Sequence, residues 1–91
     1  METGQDNLGG TSWDGVWIAI PAYQEAGTIR ALALDALARC PRVIVVDDGS
    51  SDDTAKCLAD LPITLLAHGA NRGKAAALRT AFSQALAHQA S

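Results

Sequence analysis

Two cysteines, Cys40 and Cys57, are all that the 91 residues contain. Neither sits in a CxxC pair or near a histidine at metal-ligand spacing, which argues against a disulfide framework or a zinc module. Free thiols in a reducing, cytoplasmic setting are the expectation. Large apolar residues are also scarce. The hydrophobic fraction is 48%, but much of it is alanine, which buries little area, so the core is thin for an independent sheet domain. Basic charge is not in excess: seven Lys and Arg against ten Asp and Glu give a net charge of −3. That balance supplies no general pull toward nucleic acid or an anionic membrane. No apolar run approaches the length of a membrane span. Residues 1–14 are polar and Gly-rich, without the cationic and apolar segments of a signal peptide. Residues 1–15 therefore read as a flexible polar leader, and 16–91 as one small domain or part of one. No GxGxxG follows any apolar run, so a dinucleotide fingerprint is lacking.

What the chain does have is the run Val43-Ile44-Val45-Val46-Asp47-Asp48-Gly49-Ser50. Four β-branched residues predict a strand buried on both faces. Two carboxylates stand at its carboxyl end, where an open α/β sheet binds ligands. Burying a strand to deliver two anions to its tip needs a reason, because a desolvated carboxylate is costly unless something binds it.

The rest of the chain alternates in the same style. Residues 16–20 predict a strand closed by Pro21. Apolar positions Ile29, Leu32, Ala33, Ala36, Leu37 and Cys40 recur at helical spacing, and Pro41 ends that helix. Ser50, with Asp53 three residues on, fits a capping pattern that would open a second helix running to about Pro62. Residues 63–66 predict a third strand. Residues 73–88 predict a third helix with Leu78, Ala81, Phe82, Ala85 and Leu86 on one face. The order βαβαβα predicts a three-layer α/β/α, Rossmann-like parallel sheet with right-handed crossovers.

In such a sheet the three strand-to-helix loops share one edge. They carry Pro21-Ala22-Tyr23-Gln24-Glu25, then Asp47-Asp48-Gly49-Ser50, then His68-Gly69-Ala70-Asn71-Arg72-Gly73-Lys74. Acceptors, an aromatic ring and cations together suit a nucleotide: carboxylates take base N–H or ribose O–H, tyrosine packs on a ring, and Arg or Lys pairs with phosphate. Simpler roles compete. Asp52 and Asp53 fit a helix first turn. Gly49 and Gly73 fit tight turns, Tyr23 a packing role, and Arg79 a solvated helix face. Residues 69–75 miss a P-loop by one residue between the glycines and by Ala75 where Ser or Thr would hold magnesium.

These three segments, in this order, resemble the amino-terminal half of a family 2 glycosyltransferase with the GT-A fold. That family typically carries Pro-Ala-Tyr-Asn-Glu at the end of a strand, then Val-Val-Asp-Asp-Gly-Ser-x-Asp-x-Thr, then Asn-x-Gly-Lys at the head of a helix. Here the segments read Ile20-Pro21-Ala22-Tyr23-Gln24-Glu25, Val45-Val46-Asp47-Asp48-Gly49-Ser50-Ser51-Asp52-Asp53-Thr54 and Asn71-Arg72-Gly73-Lys74. The alanine-rich helix after Lys74 is most similar to the dolichol- or polyprenol-phosphate mannosyltransferase subgroup. The resemblance implies that Pro21, Ala22, Tyr23 and Glu25 line a base and ribose pocket. It implies that Asp47 or Asp48 bonds the base or ribose, and that Lys74 and Arg72 approach the diphosphate of a UDP- or GDP-sugar. It also implies a divalent cation, Mg or Mn, in the full-length family, an acceptor such as a polyprenyl phosphate, and work in the cytoplasm or at the cytoplasmic membrane face. Gln24 departs from the family's Asn. The larger departure is that the family's Asp-x-Asp metal motif and catalytic base follow the third helix, where this sequence stops. No catalytic or metal-ligating residue is therefore assigned, and the expectation is a nucleotide-sugar-binding half, inactive by itself.

Two other readings compete. One is a small non-catalytic nucleotide-binding or regulatory module. The other is a receiver-like signalling domain, disfavoured because the third strand ends in Ala67-His68 rather than in an acceptor aspartate.

Overall fold

The computed structural model describes residues 16–90, so the leader expected over 1–15 lies outside the described residues. Three strands, β1 (Ile18–Ala22), β2 (Val43–Asp48) and β3 (Thr64–His68), form a parallel sheet in the order β1-β2-β3. The register pairs Ala22 with Asp47, and Asp48 with His68, so the strand ends that carry the loops lie side by side. β1 runs two residues further than expected because Pro21 stays within it, on an edge where its missing N–H costs no ladder bond.

Helix α1 (Ile29–Arg39) covers one face of the sheet and helix α2 (Lys74–Ala90) the other. Alternation along β2 divides its side chains between them. Val43 and Val45 pack with Ile20, Ile29, Ala33 and Leu58 on the α1 side. Ile44 and Val46 pack with Ala77 and Ala81 on the α2 side. All six β2 residues are buried, as the β-branched run predicts.

Two expectations fail. Between β2 and β3 there is no α-helix, only turns and a short 3-10 segment, Lys56–Leu58. The Ser50 side chain that would have capped a helix bonds other loop backbone instead, a competition these short polar residues often win, and Asp53 lies exposed beside Lys56. Ser50 accepts from Gln24 N at 2.9 Å and caps nothing. The second failure is on α2. Its buried residues are Ala77 and Ala81, while Phe82 and Leu86 are 57% and 66% exposed. Small side chains let the helix approach the sheet, and the bulky ones on the neighbouring stripe are left outside. Leu32 of α1 is likewise half exposed.

Candidate functional site

Three loops meet at the carboxyl edge of the sheet: loop 1 after β1, loop 2 after β2 and loop 3 after β3. Alternation along β2 continues into its two aspartates. Asp47 follows Val45 toward the α1 side, and Asp48 follows Val46 toward the α2 side.

Asp48 is the hub of loop 3. Its Oδ1 faces His68 Nδ1 at 2.6 Å and accepts from Arg72 N at 2.9 Å. Its Oδ2 accepts from Gly73 N at 2.8 Å and from Asn71 Nδ2 at 3.1 Å. The Asn71 amide also reaches the Asp48 carbonyl at 3.2 Å. The hydrogen bond from His68 chiefly holds the Asp48 carboxyl below the usual carboxylate range. The Arg72 and Gly73 N–H groups add to that effect, and burial works against it. Asp48 is therefore ionised and fully engaged. Its ionisation is matched to loop N–H groups, which answers the cost of burying it.

Asp47 is differently placed. Its Oδ1 accepts from Ser50 N at 3.1 Å, closing the turn after β2. Its Oδ2 makes no hydrogen bond among the described residues. Gly49, at φ +79°, lets this turn press against loop 3: a Cβ there would stand 2.4 Å from Asn71 N and 2.5 Å from the Ala70 carbonyl carbon. Only glycine satisfies both the dihedral and the contact.

Loop 1 is fastened to loop 2 by Gln24. Its backbone is left-handed, φ 54°, and its side chain reaches across. Gln24 Oε1 accepts from Ser51 N at 2.7 Å and Asp52 N at 3.3 Å, and its Nε2 donates to Ser51 Oγ at 3.0 Å. Glu25 N donates to the buried Thr54 hydroxyl at 2.9 Å. Asp52 accepts from Ala26 N at 3.3 Å, from Thr54 N at 3.0 Å and from the Thr54 hydroxyl. That hydroxyl bond chiefly lowers the Asp52 carboxyl from its ordinary value. Asp52 thus joins two loops rather than a helix dipole, whereas Asp53 is exposed beside Lys56.

Of the residues singled out from sequence, Tyr23 stands at the edge, 49% exposed, with Glu25 beside it. Pro21 is half-buried, and Ala22 lies in the core, offering only backbone to the edge. Arg72 and Lys74 are exposed on either side of Gly73, the residue whose carbonyl starts α2 by accepting from Ala77 N. A lysine in a helix first turn opposes the helix dipole, and an anion there removes the conflict. Sequence reasoning gave no role to Gln24, Thr54, His68 or Asn71. Asn71 and Thr54 lay inside recognised motifs, but nothing local marked them as connectors.

With the loops in place, the comparison with known families is decisive. The sequence model for glycosyl transferase family 2 matches residues 17–87. The chain belongs to that family. No curated protein and no solved structure gives a significant match. The match supports a glycosyltransferase-type function and, in general, a nucleotide-sugar donor for the family. The family often uses a divalent metal, but the described residues do not fit one. No group of three His, Cys, Asp or Glu converges among them, and the Asp48 oxygens are already occupied by N–H donors. No helix among the described residues is long and apolar enough to cross a membrane.

Proposed function

We propose that this family 2 domain recognises the nucleotide of a UDP- or GDP-sugar on the edge formed by its three loops, and that Asp47 makes the decisive contact to base or ribose. One observation carries the assignment. Of two adjacent buried carboxylates, Asp48 is saturated by loop 3, while Asp47 keeps an oxygen without a partner among the described residues. An ionised carboxylate with a free oxygen at a strand end is an acceptor awaiting a donor N–H or O–H. Tyr23 supplies a ring face and Glu25 a second acceptor. Lys74, with the first N–H groups of α2, meets the diphosphate, and Arg72 adds charge from the same loop.

On this reading the described residues serve donor recognition, and the sugar-transfer step is assigned to none of them. A polyprenyl phosphate acceptor, a hexosyl donor and a place at the cytoplasmic membrane face belong to the same reading through the mannosyltransferase-like subgroup.

Calorimetric titration with UDP and GDP tests the assignment. Asp47→Asn keeps the Ser50 turn, because its carbonyl can still accept, and loses the second acceptor oxygen. It weakens nucleotide binding about tenfold, the worth of one charge-assisted hydrogen bond. Unchanged affinity in Asp47→Asn would remove the base-recognition role from this residue.

A further inference from the structure

α2 lies over β1 and β2 and scarcely touches β3. The side of β3 that α2 leaves open forms one wall of an open groove of about 760 Å3, lined by neither Tyr23 nor Asp47. Leu66 contributes to its floor. Arg72, Arg79, Thr80, Ser83 and Gln84 line the side toward α2, and no carboxylate among the described residues lines it. That is unusual for a chain with net charge −3. Arg30, Arg39 and Lys56 each have an acidic neighbour, Asp60, Asp35 and Asp53. The side chains of Arg72 and Arg79 have none among the described residues.

A second, independent observation bears on the same groove. Thr80, whose hydroxyl lines it, is bonded to His68 Nε2 at 2.8 Å, and the other nitrogen of that ring is bonded to Asp48. The His68 side chain is 6% exposed. Asp48 is the carboxylate facing this ring from β2, Thr80 the uncharged group facing it from α2, and Arg72 and Arg79 the cations of the adjoining groove. Because Asp48 is ionised, it accepts from Nδ1–H. In the neutral ring Nε2 is then an acceptor, and the Thr80 proton is spent on it. That chain of bonds fixes the Thr80 side chain against β3, so the α2 wall of the groove is held in place.

We propose that this groove binds a phosphate-type dianion, with Arg72 and Arg79 as its cations on a wall that Thr80 ties to His68 and Asp48. Arginine pairs suit a tetrahedral oxyanion because their planar forks donate in parallel. Ser83 and Gln84 complete the polar wall, and the Leu66 floor accepts a small apolar substituent. Arg72 serves both proposals, so the decisive variant is at Arg79, outside the residues assigned to the donor.

Sulfate is the probe of choice, since it stays a dianion at neutral pH. Amide chemical shifts of the 91-residue chain are followed at constant ionic strength. Saturable shifts centred on Arg79, Thr80 and Ser83 are expected. Arg79→Gln weakens binding about fivefold, the worth of one exposed ion pair. Non-saturable shifts, or Arg79→Gln binding like wild type, overturn the site. Glycerol 3-phosphate titration and sedimentation with vesicles containing phosphatidic acid then separate a soluble phosphomonoester from a lipid headgroup. If neither binds while sulfate does, the phosphate assignment fails.

Discussion

Loop 2 is tied to its two neighbours in opposite ways. Toward loop 1 most ties are exposed: Gln24, Ser51 and Asp52 meet in water, where each bond competes with hydration, and Glu25 N alone reaches a buried partner, the Thr54 hydroxyl. Toward loop 3 the ties are far more buried: one imidazole and three backbone or amide donors close around a carboxylate only 4% exposed. An exposed hydrogen bond contributes little net, while a buried polar group left without its partner costs its whole desolvation. The loop 2–loop 3 seam is therefore a fixed wall, and the loop 1–loop 2 seam an adjustable one. If the proposed donor site lies between them, it closes on its ligand from the Tyr23 side while Lys74 and the α2 terminus stay put.

The sharpest way to break this contrast is Asp48→Asn, which is expected to have the largest effect of any substitution at the two seams. Each Asp48 oxygen faces two donors, His68 Nδ1 and Arg72 N on one side, Asn71 Nδ2 and Gly73 N on the other. Whichever way an asparagine turns, its NH2 meets at least one N–H head-on. The variant should lose the ordered loop 3, read as faster amide exchange at Arg72 and Gly73 and a lower denaturation midpoint. Wild type carries a pH signature of the same contact. The folded Asp48 carboxyl is lowered from its unfolded value. Its contribution is thus full above the ordinary carboxylate pKa of about 3.9 and is lost as pH falls through the folded value. Denaturation midpoints measured from neutral pH downward should therefore fall more steeply below about pH 4 in wild type than in Asp48→Asn. Parallel curves would show that Asp48 is not the ionised hub.

Gly49→Ala tests the same wall without touching a charge. The new Cβ meets loop 3 backbone at 2.4 Å, and the residue keeps a left-handed φ. Strain and overpacking together should cost about 3 kcal/mol, read by urea denaturation. A cost under about 1 kcal/mol would mean that loop 3 yields, and that the wall is not fixed.

How much of this was legible in the sequence follows the same division. The parallel sheet, the buried β2 run and the convergence of three loops came from periodicity and strand-end motifs, which are local signals. The Asp47–Asp48 pair was recognisable as unusual for the same reason, since two anions after four β-branched residues demand a partner. Which of the two is free was not legible. The partners of Asp48 are 20 to 25 positions away, and only register and strand alternation bring them to one side. The missing second helix has the same origin. A capping pattern at Ser50 and Asp53 is a local signal, and it was overruled by bonds to Gln24 at a separation of 26 to 28 residues. On α2 the failure was of another kind: a stripe of leucine and phenylalanine outweighs alanine in any hydropathy pattern, yet close packing against a sheet favours the smaller residue.

The smallest expected effect is at the adjustable seam, where two substitutions of Gln24 separate its backbone from its side chain. Gln24→Ala keeps a left-handed φ that alanine dislikes and removes the three side-chain bonds to loop 2. A loss of about 1 kcal/mol is expected, because those bonds are exposed. Gln24→Asn, the residue typical of the family at this position, moves the balance both ways. Asparagine adopts the left-handed region more readily than most residues. Its side chain is one methylene shorter and gives up part of the reach to Ser51. The two terms should leave stability within about 0.5 kcal/mol of wild type. Nucleotide affinity should also be preserved, since Glu25 and Tyr23 stay in place. If Gln24→Asn instead destabilises as much as Gln24→Ala, the bridge to Ser51 and Asp52 outweighs the backbone preference. The loop 1 seam would then be nearly as fixed as the one around Asp48.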